Sequence, residues 1–112
     1  MAYVLTQRAA FTNKVVIREP GDGPDGAFIE STFVARFKWL SEDEIAGLMG
    51  QSKPIREALR DLILGWYDLN DESGQSVPFS DDVLTQLLAR GAVTIALWES
   101  FLEGQSGALR KN

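Results

Sequence analysis

The sequence contains no cysteine and no histidine. Without cysteine there can be no disulfide, thiolate zinc site or cysteine nucleophile, and without histidine there is no histidine-based triad and the commonest metal ligand is missing. No apolar run approaches the roughly 18 residues that a membrane-spanning helix needs, and the first residues lack the basic segment of a secretory signal. These absences predict a soluble protein with no membrane partner.

Charge and composition both change near residue 40 of the 112-residue chain. Lys and Arg total 11 and Asp and Glu total 16, so the net charge is −5, which disfavours a general nucleic-acid partner. Residues 1–40 carry five basic and four acidic side chains, whereas residues 41–112 carry six and twelve. The first part is rich in Val, Ile, Phe and Thr and the second in Leu, Ala and acids, a change that predicts strands followed by helices.

The predicted fold class is α+β, with a small antiparallel sheet in the N-terminal third packed on about four C-terminal helices. Two strands, Lys14–Glu19 and Ala27–Trp39, flank a Gly/Pro-rich loop. Their period of two predicts a buried face on the second strand, formed by Ile29, Phe33, Ala35, Phe37 and Trp39. We expect residues 14–103 to form one domain, 1–13 to be a weakly specified segment and 104–112 to be a flexible basic tail.

Capping signals and apolar periodicity locate the helices. Ser41 and Glu44 form a capping-box pattern before Ile45, and Gly50 ends that helix. A strong i, i+3, i+4 stripe predicts a second helix from Pro54 through Trp66. Two further helices are predicted from their apolar patterns: Asp81–Arg90, with Ser80 before it as the N-cap, and Ala92–Glu103.

None of the motifs that suggest chemistry is complete. The Gly-rich loop 21–26 has no following Lys-Ser/Thr, and its acids would repel phosphate. The alternating polar residues from Asp68 to Glu72 have their glycine displaced from the calcium-loop position, and Phe79 stands where the loop requires a bidentate glutamate. Ser106 has no histidine to activate it, and the adjacent Asp81 and Asp82 fit a helix start. We therefore expect a non-enzymatic protein without a cofactor or metal.

The last predicted helix is apolar nearly all round, so it is either deeply buried or part of a contact surface. For Trp98, Phe101 and Leu102, the sequence is equally consistent with a core position and a surface position, because aromatic residues are enriched at interfaces as well as in cores. Tyr67 and Phe79 flank a polar turn and could close the core or edge a groove. We take Trp98, Phe101 and Leu102 as first candidates for partner contact and Tyr67 and Phe79 as second candidates.

The order of these segments resembles the tail assembly chaperones of long-tailed bacteriophages and prophages. An aromatic strand end, Phe37–Leu40, leads into the acidic capped helix at Ser41–Ile45. The most specific stretch combines Gly65-Trp66, an acidic turn ending at Gly74, and Val77–Ser80 before a helix. A final helix with Trp98 and Phe101 and a tail ending Arg110–Asn112 complete a likeness that covers residues 30–112.

The resemblance implies a protein of the bacterial host cytoplasm that is absent from the mature virion. Members of this family bind the tape measure protein, keep it soluble and help the tail tube protein polymerise around it, and many have a frameshifted longer product. Lining one long client with many copies would also favour a homo-oligomer. The alternatives are a structural tail component retained in the virion and a small acidic inhibitor that imitates DNA charge.

Overall fold

The described residues form a three-stranded antiparallel sheet and four helices, which confirms the predicted α+β class. The computed structural model describes residues 1–5 and 8–107. The sheet has the strand order β1-β2-β3. The elements, in chain order, are β1 Ala10–Pro20, β2 Phe28–Lys38, α1 Glu42–Met49, α2 Ile55–Leu62, β3 Ile63–Tyr67, α3 Asp81–Leu88 and α4 Gly91–Ser106.

The predicted core face of β2 is correct in its centre and wrong at both ends. Phe33, Ala35 and Phe37 are buried, together with Val15 and Ile17 of β1. In contrast, Ile29 and Trp39 are 60% and 46% exposed. The alternation of side chains identifies which face of a strand turns inward, but it does not specify how far the covering helices reach along that strand.

The third strand corrects the helix that was predicted to continue through Trp66. The helix α2 ends at Leu62, and the next five residues pair with β2. Ile63 and Trp66 are both buried, as the helical stripe requires, but the backbone that carries them is extended. A register shift at Arg36/Phe37 accommodates the pairing. Tertiary pairing with the open edge of β2 therefore overrides the local helical pattern.

Both ends of the domain extend beyond the predicted limits of residues 14 and 103. The side chain of Asn13 donates to the Ser100 carbonyl at 2.9 Å, which ties the start of β1 to α4. Gln105 brackets the main chain of Leu40: its Nε2 donates to the Leu40 carbonyl at 2.7 Å and its Oε1 accepts the Leu40 N–H at 3.1 Å. Residues 10–13 and 104–106 thus belong to the folded unit, whereas Arg110–Asn112 of the predicted tail lie outside the described residues.

The core centres on an aromatic cluster between the sheet and α4. The rings of Phe37 and Phe101 meet edge-on with centroids 5.6 Å apart, and Phe11 lies 5.4 Å from Phe37. Along the same contact, the buried Ser100 hydroxyl donates to the Lys14 carbonyl at 2.8 Å. This bond satisfies a polar group that burial would otherwise penalise. α4 is therefore fixed along β1 by packing and by hydrogen bonds.

Ser41 begins α1 with the predicted capping box: its hydroxyl accepts the Glu44 N–H at 3.2 Å, and the Glu44 carboxylate accepts the Ser41 N–H at 2.9 Å. We expect Ser41→Ala to lower the free energy of unfolding by about 0.5–2 kcal/mol, because one helix N–H loses its partner. Urea denaturation measures this change. Ser41→Asp, which retains a capping oxygen, should recover most of the stability, and an unchanged midpoint for Ser41→Ala would contradict the assignment.

Candidate partner-binding surface

The helix α4 has one buried face and one face that is only partly covered. Its buried side chains pack against the sheet and the other helices: Val93, Ala96, Leu97, Ser100 and Phe101. The opposite side carries Ile95, which is 61% exposed, and the half-buried Trp98 and Leu102. The spacing of these three residues follows i, i+3, i+7, so they form one apolar stripe along the outside of the helix.

Phe101 does not lie on the candidate surface, which corrects its assignment as a contact residue. Its side chain has no exposed area and touches the rings of Phe11 and Phe37. Trp98 stacks on the same residue with a centroid distance of 5.7 Å and an interplanar angle of 26°. In the described conformation Phe101 therefore supports Trp98 from beneath and offers no surface to a partner.

Trp98 borders an open depression between the end of α1 and the start of α2, which we call the α4 notch. It is lined by apolar and polar side chains together: Leu48, Met49, Ile55, Ala58 and Trp98, with Gln51 and Lys53. Its volume is about 150 Å³. An apolar cavity of roughly that size accommodates a benzene-sized group. The notch can therefore receive one apolar side chain from another polypeptide.

The sequence pattern did not single out the two exposed apolar walls of the α4 notch. Met49 and Ile55 fell on helical stripes that predicted burial, yet their side chains are 52% and 44% exposed. Both stand at helix ends next to the break at residues 50–54, where the apolar face runs past the residues that cover it. The sequence did contain one signal for this surface, namely that these two apolar residues stand at the edges of the break between the helices.

Tyr67 and Phe79 lie in different places from the α4 stripe and from each other. Tyr67 pairs with Val34 on the face of the sheet that α4 does not cover, and it is 56% exposed. Phe79 packs edge-on against Trp66 with centroids 4.7 Å apart, while the Trp66 indole N–H donates to the Val77 carbonyl at 2.8 Å. These two candidates therefore do not extend the α4 surface.

In the polar turn before Phe79, the carboxylate of Asp71 accepts hydrogen bonds from the turn itself. One oxygen of Asp71 accepts the Ser73 hydroxyl at 2.7 Å and the N–H groups of Ser73 and Gln75 at 2.9 and 3.0 Å. These bonds, led by the Ser73 hydroxyl, lower the pKa of Asp71 by favouring its ionised form. Among residues 1–5 and 8–107, no group of three acidic side chains is placed to hold a metal ion.

The uncovered face of the sheet, which we call the outer face, is basic although the protein is acidic. Its positions on β1 and β2 carry Lys14, Arg18, Arg36 and Lys38, with Glu30 as the single acid among them. The guanidinium of Arg18 lies 4.6 Å from the centre of the Phe28 ring. The acids lie elsewhere, largely in helix caps and turns. Basic side chains are therefore concentrated on the outer face of the sheet, away from most of the acidic side chains.

Comparison of the chain with protein-family models, with curated proteins and with solved structures yields no match. Within the part of the chain that the structure describes, no helix combines the length and apolar composition needed to cross a bilayer. The physical features on which a function can be argued are thus the α4 stripe, the α4 notch and the outer face of the sheet.

Proposed function

We propose that this protein is a bacteriophage or prophage tail assembly chaperone that binds the tape measure protein during virion assembly. The observation that carries the proposal is the α4 notch, an open depression with apolar walls directly beside the partly exposed stripe of α4. The order of sequence motifs from residue 30 onward supplies the family, and the notch supplies a physical means of holding a client. The protein acts in the cytoplasm of the bacterial host and leaves before the virion matures.

Recognition follows the helix-in-groove mode. An amphipathic client helix places one large apolar side chain in the α4 notch and its next turn against the stripe formed by Ile95, Trp98 and Leu102. Fully burying one such side chain is worth about 1.5–3 kcal/mol, so a single copy binds weakly. Several copies along one long client keep it covered, and the weakness of each contact permits release when the tube protein replaces them.

The charge of the chain suits this role. The net charge of −5 disfavours association between loaded chaperones and keeps the complex in solution. The segregated basic outer face remains available for a second, acidic partner, for which the tail tube protein is the proposed candidate. Contacts between copies bound side by side on the client supply the homo-oligomer.

Co-expression with the tape measure protein tests the proposal. Wild-type protein should keep the client soluble and co-purify with it, whereas Met49→Lys combined with Ile55→Glu should leave most of the client in the pellet. The two charges place polar groups in the α4 notch, yet a lysine at the end of α1 and a glutamate at the start of α2 suit the helix dipoles. The variant should therefore stay folded, as circular dichroism will show.

Ile29→Lys is the control, because it charges another exposed apolar residue near the start of β2, outside the notch. It should solubilise the client as wild type does. If the folded double variant still solubilises the client, the α4 notch is not the client-binding site. A client that remains insoluble with wild-type protein would contradict the chaperone function itself.

Mass spectrometry of purified particles separates the chaperone from a structural tail component, which would be present in every virion. The alternative of a DNA-imitating inhibitor fits the structure less well. Such a protein needs carboxylates arrayed across one surface, whereas the open sheet of this protein presents four cations and one acid on β1 and β2.

A further inference from the structure

The free edge of β1 carries backbone groups that no strand of the sheet uses. β1 is an outer strand, and Trp39 donates to the Ala9 carbonyl at one end of the hairpin while Gly21 donates to the Ala27 carbonyl at the other. The residues of this edge that take part, Ala9 and Gly21, are odd-numbered and continue the β1–β2 register at its two ends. Because antiparallel pairs alternate, the even-numbered residues of β1 turn their N–H and C=O groups away from β2.

These outward groups meet α4 at one point only. The Lys14 carbonyl accepts the Ser100 hydroxyl at 2.8 Å, which closes the edge there. At Val16 and Arg18, no described residue donates to or accepts from the outward main-chain groups. Pro20, with no N–H to offer, ends the strand. The edge is thus open over the short stretch between Lys14 and Pro20.

A groove runs beside this open stretch, between β1 and the N-terminal half of α4. We call it the edge groove; it has a volume of about 400 Å³ and is lined by Val16, Arg18, Ala92, Ile95, Ala96 and Glu99. Its helix wall is apolar apart from Glu99, and Ile95 is the most exposed apolar side chain of α4. Unpaired strand groups beside an apolar wall are the two elements that β-strand addition requires.

We propose that the edge groove binds an extended acidic–apolar peptide segment of a partner, which adds to β1 as an antiparallel fourth strand. Residues of that segment opposite Val16 and Arg18 exchange main-chain hydrogen bonds with them. Residues between these turn towards Ile95 and Ala92 and are apolar. The inference goes beyond the proposed client contact, because it uses the edge groove and strand addition; the two surfaces share Ile95, and the edge groove shares Arg18 with the outer face.

Charge selects the partner. Arg18 lies within the open stretch, so an acid on the incoming strand directly opposite it meets a cation, and Lys14 lies on the same side of β1 at the closed end of that stretch. A second copy of β1 is disfavoured, since antiparallel pairing centred on Val16 would place Lys14 of each copy opposite Arg18 of the other. Natural edge strands use such lysines and arginines to prevent self-pairing.

The probe is the peptide Ser-Glu-Val-Thr-Val-Glu-Ser, blocked at both ends. Its threonine lies opposite Val16, its first glutamate lies opposite Arg18 and its valines face α4, while its second glutamate follows the point where Ser100 closes the edge and reaches towards the Lys14 side chain. Titration into ¹⁵N-labelled protein should shift the amide signals of Val16 and Arg18 and slow their hydrogen exchange. Absence of any shift at millimolar peptide would overturn the proposal.

N-methylation of the peptide separates strand addition from simple apolar contact. Methylating the threonine nitrogen removes a bond to β1 and should weaken binding about tenfold, whereas methylating either valine nitrogen, which faces away from β1, should leave it unchanged. Equal loss at all three positions would contradict strand pairing. This comparison requires no variant of the protein.

Two protein variants complete the test. Val16→Pro removes an N–H that takes no part in the β1–β2 ladder and should abolish binding, while Thr12→Pro, at an equivalent edge position outside the groove, should not. Arg18→Glu should bind the wild-type peptide more weakly and prefer a peptide in which lysine replaces only the glutamate opposite residue 18. If the edge signals instead shift with protein concentration and the peptide does not compete, the occupant is a second copy and the proposed partner is wrong.

Discussion

Replacing Phe101 with alanine is expected to lower the free energy of unfolding by about 3–5 kcal/mol. The side chain is completely buried and contacts Phe11, Phe37 and Trp98, so its removal leaves a cavity at the junction of the sheet and α4. Since small domains have only about 5–15 kcal/mol of stability, this loss is a large part of the total. Equilibrium urea denaturation followed by tryptophan fluorescence measures it.

Leu102→Ala provides the contrast from the next position of the same helix. Leu102 is half-buried and lies on the outward stripe, so the loss of stability should be well below that of Phe101→Ala. In the co-expression assay, Leu102→Ala should weaken client solubilisation while the fold persists. If Phe101→Ala retained wild-type stability, the burial of that ring and the division of α4 into two faces would both be wrong.

Introducing a single methyl group at Gly104 is expected to lower the free energy of unfolding by up to about 2 kcal/mol. A Cβ at this position would overlap the Phe11 ring, with Cδ2 only 2.8 Å away and Cε2 closer still. That ring cannot withdraw freely, because it packs against Phe37 and Phe101. Overpacking of this kind costs about 1–3 kcal/mol, which exceeds the helix-propensity gain of about 1 kcal/mol for Gly→Ala.

Gly47→Ala is the matched control and should have the opposite sign. It also replaces a helical glycine, but beyond the adjoining residues and the backbone of its own helix no described atom lies within 4 Å of the new Cβ. The propensity gain is therefore unopposed, and stability should rise by about 0.5–1 kcal/mol. Thermal and urea denaturation of both variants give the comparison. Equal shifts of the same sign would show that Phe11 does not approach α4 as described.

Local sequence signals predicted much of the fold because they depend on near neighbours. The capping box at Ser41 and the cap at Ser80 are formed by residues three positions apart, and both are present. The alternation along β2 correctly placed Phe33, Ala35 and Phe37 inside. In each case the deciding interaction lies within a few residues of the pattern that predicts it.

The third strand could not be predicted in the same way. The apolar residues from Ile55 to Trp66 fit a helix, and the chain follows that pattern as far as Leu62. What changes the backbone at Ile63 is the second edge of β2, more than 20 residues away in the chain. An edge of unpaired hydrogen-bonding groups is a property of the assembled sheet and has no mark in the local sequence.

For the candidate surface too, the sequence determined some features and the tertiary structure decided the others. From its amino acids alone, the chain had to be an acidic α+β protein without cysteine or histidine chemistry and with a final helix richer in apolar residues than one buried face requires. Only the tertiary structure decided that Phe101 is enclosed, that Met49 and Ile55 stand beside Trp98, and that the edge of β1 is open at Val16 and Arg18. Periodicity determines which side chains share a face, whereas packing between distant segments determines which parts of that face are covered.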